Sequence, residues 1–470
     1  VIPVWNGADV IEACLHAVYT HSGAGLREVI CVDNASGDAS VQVIQQAFPQ
    51  VRLLRQPINL GFAGGVNAGM RAAAGDVIVL LNQDCLVQPG WLDALLEALD
   101  CHPDWGIVGA TICTSDGQIH HAGARIQFPL ALGVHDTQAH AEERTVDYVT
   151  GAVFALRRDV WRTVGALDEG FYPAYYEESD YCYRARRHGY LIGYAPKARA
   201  VHLFSNQEWR QAPLRHAVNQ HRMRFRFVAK HWDADALTAF FAAESQQIET
   251  VANLDDLFAR LFAARLIRFS LPDILQRRRQ DLALGPDADP EEGVRARVLT
   301  NGFSSLVQQT LESIQRHFQT TAPAPVTEPE SLRAHEEQLE ALDERLERLM
   351  HTLHDLQVQQ EALLQRIYFR PVAGASPQAS WLSDGARLVK RALSFFSGRE
   401  FRLQARLSTL HTYRLNLVDE ILGVQAERAR IQEQLRARQM HLLTSQWTHE
   451  LTELRQNVRL LERLHEYDVL

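Results

Sequence analysis

One stretch of ten residues constrains the fold more than any other. Gly75 to Asp84, GDVIVLLNQD, contains an unbroken apolar run from Val77 to Leu81, led by β-branched residues. A half-exposed strand would alternate apolar and polar positions, so a continuous run reads as a strand buried on both faces. The run stops abruptly at Asn82-Gln83-Asp84. Polar groups at the C-terminal end of a buried strand sit where open α/β sheets form their ligand crevice. A carboxylate there suits a hard divalent cation held against a diphosphate. A strand followed by a polar turn is the plainer reading of the same triplet.

The flanking sequence repeats the pattern. Val1–Val4, Glu28–Val32, Val51–Leu54 and Val77–Leu81 read as strands, with helical spacing in Val10–Tyr19, Val41–Phe48, Asn67–Ala74 and Leu92–Leu99. Such alternation predicts an α/β fold, Rossmann-like, with a mostly parallel sheet and crossover helices. Polar loops follow the strands. Asp33-Asn34-Ala35-Ser36-Gly37-Asp38 offers short acceptors that suit a nucleobase and ribose, or that turn the chain and cap the next helix. Asn59 to Asn67 is a glycine-rich loop entering a helix, where backbone amides can face a phosphate. It lacks the Gly-Lys-Ser/Thr of a P-loop and the spacing of a dinucleotide fingerprint.

The bulk numbers exclude several classes. Lys+Arg is 48 against Asp+Glu 57, a formal charge of -9, which argues against general nucleic-acid binding. The six cysteines lie between Cys14 and Cys182 without a CxxC pair, a pattern that fits a reducing cytosol better than a disulfide framework. No apolar stretch reaches the roughly 18 residues of a membrane span, and no signal peptide is visible. The chain opens as if in mid-strand, which raises the reading of a fragment of a larger multi-domain synthase.

Taken in order, DNASGDAS, NLGFAGGVNAGM and GDVIVLLNQD resemble the nucleotide-sugar-binding half of family-2 glycosyltransferases, which have the GT-A fold. The later motifs fit too: Thr150–Arg158 (TGAVFALRR), Val164–Phe171 (VGALDEGF), Tyr175–Arg184 (YYEESDYCYR) and Ala200-Val201-His202. The resemblance covers about residues 1–232 and looks nearest to the bacterial rhamnosyl- and galactofuranosyl-transferase branch. It implies an inverting, single-displacement transfer from a UDP- or dTDP-linked sugar to a hydroxyl of a bacterial surface polysaccharide, with a lipid-linked acceptor as one option. A rival reading is a catalytically inactive, transferase-like scaffold.

Such a transfer needs a neutralised leaving diphosphate, a base for the acceptor hydroxyl and aligned reactants. The family's strand-end Asp-x-Asp motif is Asn82-Gln83-Asp84 here, so its first carboxylate is an amide. By resemblance Asp84 and His202 hold a divalent metal, Mn or Mg, a mixed O/N set that suits either. Asn82 offers a neutral oxygen or a ribose contact. Glu177, Glu178 and Asp180 open an apparent helix, where acids are favoured in any case. The resemblance places the catalytic base at Glu178, where the family often has Asp, with Asp180 as runner-up. Donor contacts carried over are Pro3, Asn6 and Asp33 around the nucleobase, and Asn59, Gly61 and Asn67 near the ribose and phosphates. Gly151 to Val153 resembles the segment facing both sugars. Arg184 and Arg187, three apart on one helical face, are read as partners of Glu177 and Asp180. His120-His121 is read as a hairpin surface, since adjacent strand residues point apart.

The expected divisions are a transferase domain at 1–232, a helical extension at 233–318, a linker at 319–330, a coiled coil at 331–368, a linker with a basic amphipathic helix at 369–402, and a second helical or coiled-coil segment at 403–470. The coiled coil rests on Leu332, Leu339, Leu346, Leu353 and Ile367 at one core position, and Leu342, Leu349, Leu356 and Leu363 at the other, over roughly five heptads. It implies a homo-oligomer, a partner protein, or an antiparallel hairpin with the second helical stretch of the same chain. Leu388, Val389, Ala392, Phe395 and Phe396 form an apolar stripe beside Arg387, Lys390 and Arg391, a pattern of helices that lie against an anionic membrane and equally of helices that pack on a coiled coil. The expected location is the cytoplasm, with peripheral contact at the inner face of the membrane.

Overall fold

The computed structural model describes residues 1–203, 213–282 and 292–320, with scattered positions between 337 and 352 and at 424, 427 and 431. The described residues up to 315 fall in one compact unit, and those from 316 onward in another. The described positions between 337 and 352 are helical. The rest of the expected coiled coils, and the whole of 369–402, lie outside the described residues.

The chain begins with strand β1 (Ile2–Val4), helix α1 (Ile11–His21), β2 (Ile30–Asp33), α2 (Ser40–Ala47), β3 (Arg52–Arg55), α3 (Gly61–Ala72) and β4 (Val77–Leu81). It continues through β5 (Cys85–Val87), α4 (Trp91–Cys101), β6 (Trp105–Cys113), β7 (Ile119–His121), β8 (Ala124–Gln127), β9 (Leu132–His135), β10 (Arg144–Thr145), β11 (Val153–Arg157), α5 (Arg158–Val164), α6 (Glu177–Arg187) and β12 (Leu191–His202). Helices α7 (Pro213–His231), α8 (Ala234–Thr250), α9 (Leu254–Asp281) and α10 (Glu292–Thr320) follow.

Strands β1, β2 and β3 pair in parallel. Main-chain bonds carry the sheet from β1 to β4: the Val1 nitrogen donates to Val79 O at 2.7 Å, and Leu81 N donates to Val1 O at 3.0 Å. Beyond β4 the order is β11, β6, β12, β10. The α/β architecture is the one expected, but its sheet is mixed. β12 runs parallel to β6, whereas β11 is antiparallel to both β4 and β6. β4 is buried on both sides. Leu81 joins a core with α1 and α4, and Ile78 and Leu80 join another with α3, β11 and α6. A third apolar core unites α7 with α8, α9 and α10.

The glycine-rich segment differs from its expected form. It is helix rather than loop from Gly61 onward, because its glycines let α3 lie close on the strand ends. A Cβ on Gly65 would sit 2.6 Å from Asn34 Nδ2, a group that donates to Gly61 O at 2.9 Å. This close approach sets the sign of a test. Alanine in a helix gains about 1 kcal/mol over glycine, but overpacking costs about 1–3 kcal/mol. Gly65→Ala should therefore destabilise the protein in a chemical denaturation curve. Gly293→Ala, in α10 with nothing within 4 Å of the new methyl, should not.

Candidate active site

The turn after β4 gives each residue of the triplet a separate task. Asn82 N donates to Ala152 O at 3.1 Å, and Cys85 N donates to Asn82 O at 3.1 Å, which closes the turn. The Gln83 side chain clamps the loop after β1, accepting from Trp5 N at 2.9 Å and donating to Trp5 O at 3.1 Å. β5 then pairs antiparallel with the end of β12, in a register that sets His202 opposite Cys85. His202 Nε2 thereby lies 3.0 Å from Asp84 Oδ1 and 3.5 Å from Asn82 Nδ2. Among the described residues, Asp84, Cys85 and His202 are the one group of three metal-ligating types with ligand atoms within 4.8 Å. Cys85 belongs to the apolar core, and burial pushes its thiol well above the ordinary range. The carboxylate and imidazole remain, a donor pair that fits a divalent cation of the Mn or Mg type.

The loops after β1 and β2 are tied together beside this turn. Asn6, at φ 47°, accepts from Gly37 N at 2.8 Å, and its own amide donates to Ser36 Oγ at 3.1 Å. Asp33 is buried, accepts from Ser36 N at 3.0 Å and lies 3.8 Å from Arg55 Nε. Pro3 is buried within β1, in register with Val32. Asn59 accepts from Gly61 N at 2.8 Å at the start of α3. Gly61 has φ +69°, and a Cβ there would lie 2.8 Å from Pro173 O.

Asn67 corrects the sequence reading. It is 1% exposed, and its amide is spent on the protein: Oδ1 accepts from Leu167 N at 2.9 Å, and Nδ2 donates to Leu167 O and Glu169 Oε1, both at 3.0 Å. It buttresses the 167–169 segment, with no polar atom left over for a donor substrate.

The three acids of α6 occupy three different environments. Tyr175 and Tyr176 both have positive φ, 86° and 66°, a costly backbone for non-glycine residues and one that marks functional corners. They turn the chain into the helix. Glu177 is 4% exposed, and burial together with the charge of Glu178 pushes its carboxyl well above the usual range. Glu178 is partly exposed. Burial pushes it up to about 7, against the opposing pull of the Gly151 amide. Among the described residues, neither Oε2 atom has a hydrogen-bond partner. Gly151 therefore faces the Glu178 carboxylate, while its neighbour Ala152 holds the main chain of Asn82. Tyr148, which the motifs did not single out, lies beside Glu178 and Ser179.

Asp180 is a second correction. It is 0% exposed, ion-paired with Arg184 at 2.9 Å and Lys230 at 2.5 Å, and hydrogen-bonded to His231 Nε2 at 2.7 Å. Against the cost of burial, these cations hold it well below the usual carboxylate range. An anion so engaged is a structural counter-charge and makes a poor base. The pairing read for Arg184 is present, but Arg187 instead donates to His231 O at 3.1 Å and stacks on Tyr183. His121 also departs from expectation. It is fully buried rather than on a hairpin surface, and its Nε2 accepts from Thr150 N at 3.3 Å.

The sequence reading missed helix α7. Asn219 donates to Ala174 O at 3.2 Å and Arg222 to Tyr172 O. Arg226 binds Asp168 at 3.0 Å, and Lys230 binds Asp168 and Asp180. These positions share one helical face, so α7 grips the segment 168–180 along its length. The signal available in the sequence was basic residues at helical spacing within an otherwise apolar helix.

Comparison with known proteins places the similarity in the same N-terminal region. Residues 1–165 match the model of glycosyl transferase family 2. The N-acetylglucosaminyl-diphospho-decaprenol L-rhamnosyltransferase of Mycobacterium tuberculosis is 29% identical over 229 residues, spanning 43% of this chain and 74% of that protein. The low-salt glycan biosynthesis hexosyltransferase Agl10 of Haloferax volcanii is 25% identical over 189 residues, spanning 38% of this chain and 60% of that protein. Among solved structures, GalNAc-T7 with UDP, GalNAc and Mn2+ aligns at 16% identity with a TM-score of 0.42, over 69% of this chain and 58% of that one. The N-terminal domain thus belongs to glycosyl transferase family 2, and by that domain the chain is a glycosyltransferase.

Proposed function

We propose that this enzyme transfers a hexosyl unit of the rhamnose or galactofuranose class from a UDP- or dTDP-linked donor to a hydroxyl of a lipid-linked bacterial surface glycan, with inversion. The observation that carries this reading is the 151–152 segment. Its Ala152 carbonyl holds the Asn82–Asp84 turn, and its Gly151 amide faces Glu178, so a donor site and a base flank one short stretch of chain.

Asp84 and His202 would hold a divalent cation, with the Asn82 amide beside them. That cation would supply positive charge against the leaving diphosphate. Asn6 and Asp33 line the nucleobase side, and Asn59 and Gly61 the ribose and phosphate side. Glu178 takes the proton from the acceptor hydroxyl. The freed oxygen bonds to the anomeric carbon as the bond to the diphosphate oxygen breaks, and the bonding pair leaves with the diphosphate. Water exclusion around Glu178 serves this role, because a base poised near the working pH transfers protons best. We assign residues 1–232 to the transferase domain, with 233–318 extending it. The segments from 319 onward serve assembly with a second copy or a partner protein, at the inner face of the cytoplasmic membrane. Among the described residues, no helix is long and apolar enough to cross a membrane.

Assaying release of UDP or dTDP from a panel of nucleotide sugars, with and without Mn2+, tests this reading. Turnover should appear with one donor and vanish with chelator. Asp84→Ala should abolish the metal-dependent rate. Absence of both turnover and nucleotide binding would leave a transferase-shaped scaffold instead.

Glu178 sets the pH dependence. It must be ionised to accept a proton, so kcat/KM should fall about tenfold per unit below pH ~7 and level off above it. Glu178→Gln should lower kcat by about 10²–10⁴-fold and remove that acid limb. Asn67→Ala should instead lower stability, by about 1–3 kcal/mol for its buried hydrogen bonds, with nucleotide affinity of the folded protein unchanged.

A further inference from the structure

Helix α6 is held from the side opposite its base. Glu178 and Asp180 are two residues apart, about 200° around a helix. Glu178 faces Gly151, and Asp180 faces a buried cluster of charges. At the centre of that cluster is Lys230, 1% exposed. Its ammonium lies 3.0 Å from Asp168, 2.5 Å from Asp180 and 2.7 Å from Asp281. Arg184, on α6 itself, bridges from Asp180 to Val164 O and Ala166 O, each at 2.9 Å, and lies 3.7 Å from Asp281. Asp281 is the last residue of α9, so the helical extension contributes a carboxylate to the anchorage of the helix that bears the base.

Stability alone is a weak reason for such a cluster. Burying ions costs several kcal/mol each, and a well-packed apolar group of the same size often does as well or better. What charges add is specificity of geometry. The anchored segment also needs it, since it enters the helix through two left-handed residues, Tyr175 and Tyr176.

We propose that Lys230 and Asp281 are positioning residues for catalysis, fixing α6 through Asp180 so that Glu178 is kept against the acceptor hydroxyl. This rests on Glu178 being the base. The helical extension is thereby part of the catalytic apparatus, although none of its residues belongs to the donor site.

A double-mutant cycle on the full chain tests it, with dTDP-rhamnose and UDP-galactofuranose as donors in Mn2+. The variants are Glu178→Gln, Asp281→Asn and the pair combined. A displacement of the base by about 1 Å costs on the order of 100-fold, so Asp281→Asn should lower kcat by about 10–100-fold while KM for the donor stays within about twofold. The combined variant should be no slower than Glu178→Gln, because Asp281 acts through a base that is already gone. An unchanged kcat in Asp281→Asn, or losses that multiply in the pair, would overturn the proposal. If Asp281→Asn does not fold, Asp281→Glu, which keeps the charge and moves it by one methylene, is read the same way. Wild-type kcat in Glu178→Gln would instead overturn the base assignment, and the positioning role with it.

Discussion

The arrangement of the site depends on the antiparallel pairing of β5 with the end of β12. That pairing puts His202 beside Asp84 across 118 residues of sequence. Strand registers permit no half steps, because a shift of one residue moves every side chain to the other face. With Cys85 buried in the core, the register is locked, and at the strand end the His202 imidazole lies 3.0 Å from the carboxylate of Asp84 in the preceding turn. The other demands on this corner follow from it. Gln83 is free to clamp Trp5, and Asn82 uses its main chain to hold Ala152.

The carboxylates of α6 show how environment divides chemically similar groups. All three sit in the first turn, where a helix dipole favours anions by about 0.3–1 kcal/mol. That contribution is too small and too uniform to separate them. Counter-charge and desolvation separate them instead. Asp180 meets Lys230 and Arg184 and stays ionised. Glu177 meets no cation among the described residues, is buried beside Glu178, and is pushed towards its neutral form. Glu178 retains some solvent contact and one amide, and it titrates at about 7. A neutral Glu177 also spares Glu178 a second negative neighbour.

This division explains what was legible in the sequence and what was not. Strand β4 and its polar end were readable because burial on both faces forces a continuous apolar run. Asp84, His202 and Glu178 were singled out by motif order, which no single spacing would have supplied, and the fold brings the first two within 3.0 Å of each other. Asn67 was misread because a buried asparagine that braces Leu167 has the same letter as one that binds a ribose. Asp180 was left open beside Glu178 because their difference lies in α7, a helix some 50 residues downstream. His121 was read as surface because the strand that buries it could not be told from a hairpin edge. The glycines of α3 read as a loop because their purpose, close approach to Asn34, is a tertiary fact. The heptads beyond residue 330 rest on pattern alone.

Basic residues in a helix are usually a solvated face. In α7 Arg224, Arg226 and Lys230 are buried and Arg222 half-buried, and these four meet an anion or a carbonyl: Arg222 the Tyr172 carbonyl, Arg226 the Asp168 carboxylate, Lys230 three carboxylates, and Arg224 the buried Glu244 at 2.9 Å. The apolar residues between them, Phe225, Phe227 and Val228, pack into the core shared with α8 to α10. One helix therefore joins two bodies of structure, the base-bearing segment through ion pairs and the extension through apolar contacts together with the Arg224–Glu244 pair. Apolar contacts tolerate sliding, because they are short-ranged and undirected. Buried ion pairs do not, because a displaced charge is left uncompensated at a cost of several kcal/mol. The extension is tied to α7 in both ways, by apolar packing and by the Arg224–Glu244 and Lys230–Asp281 pairs, so it cannot slide without stranding a buried charge.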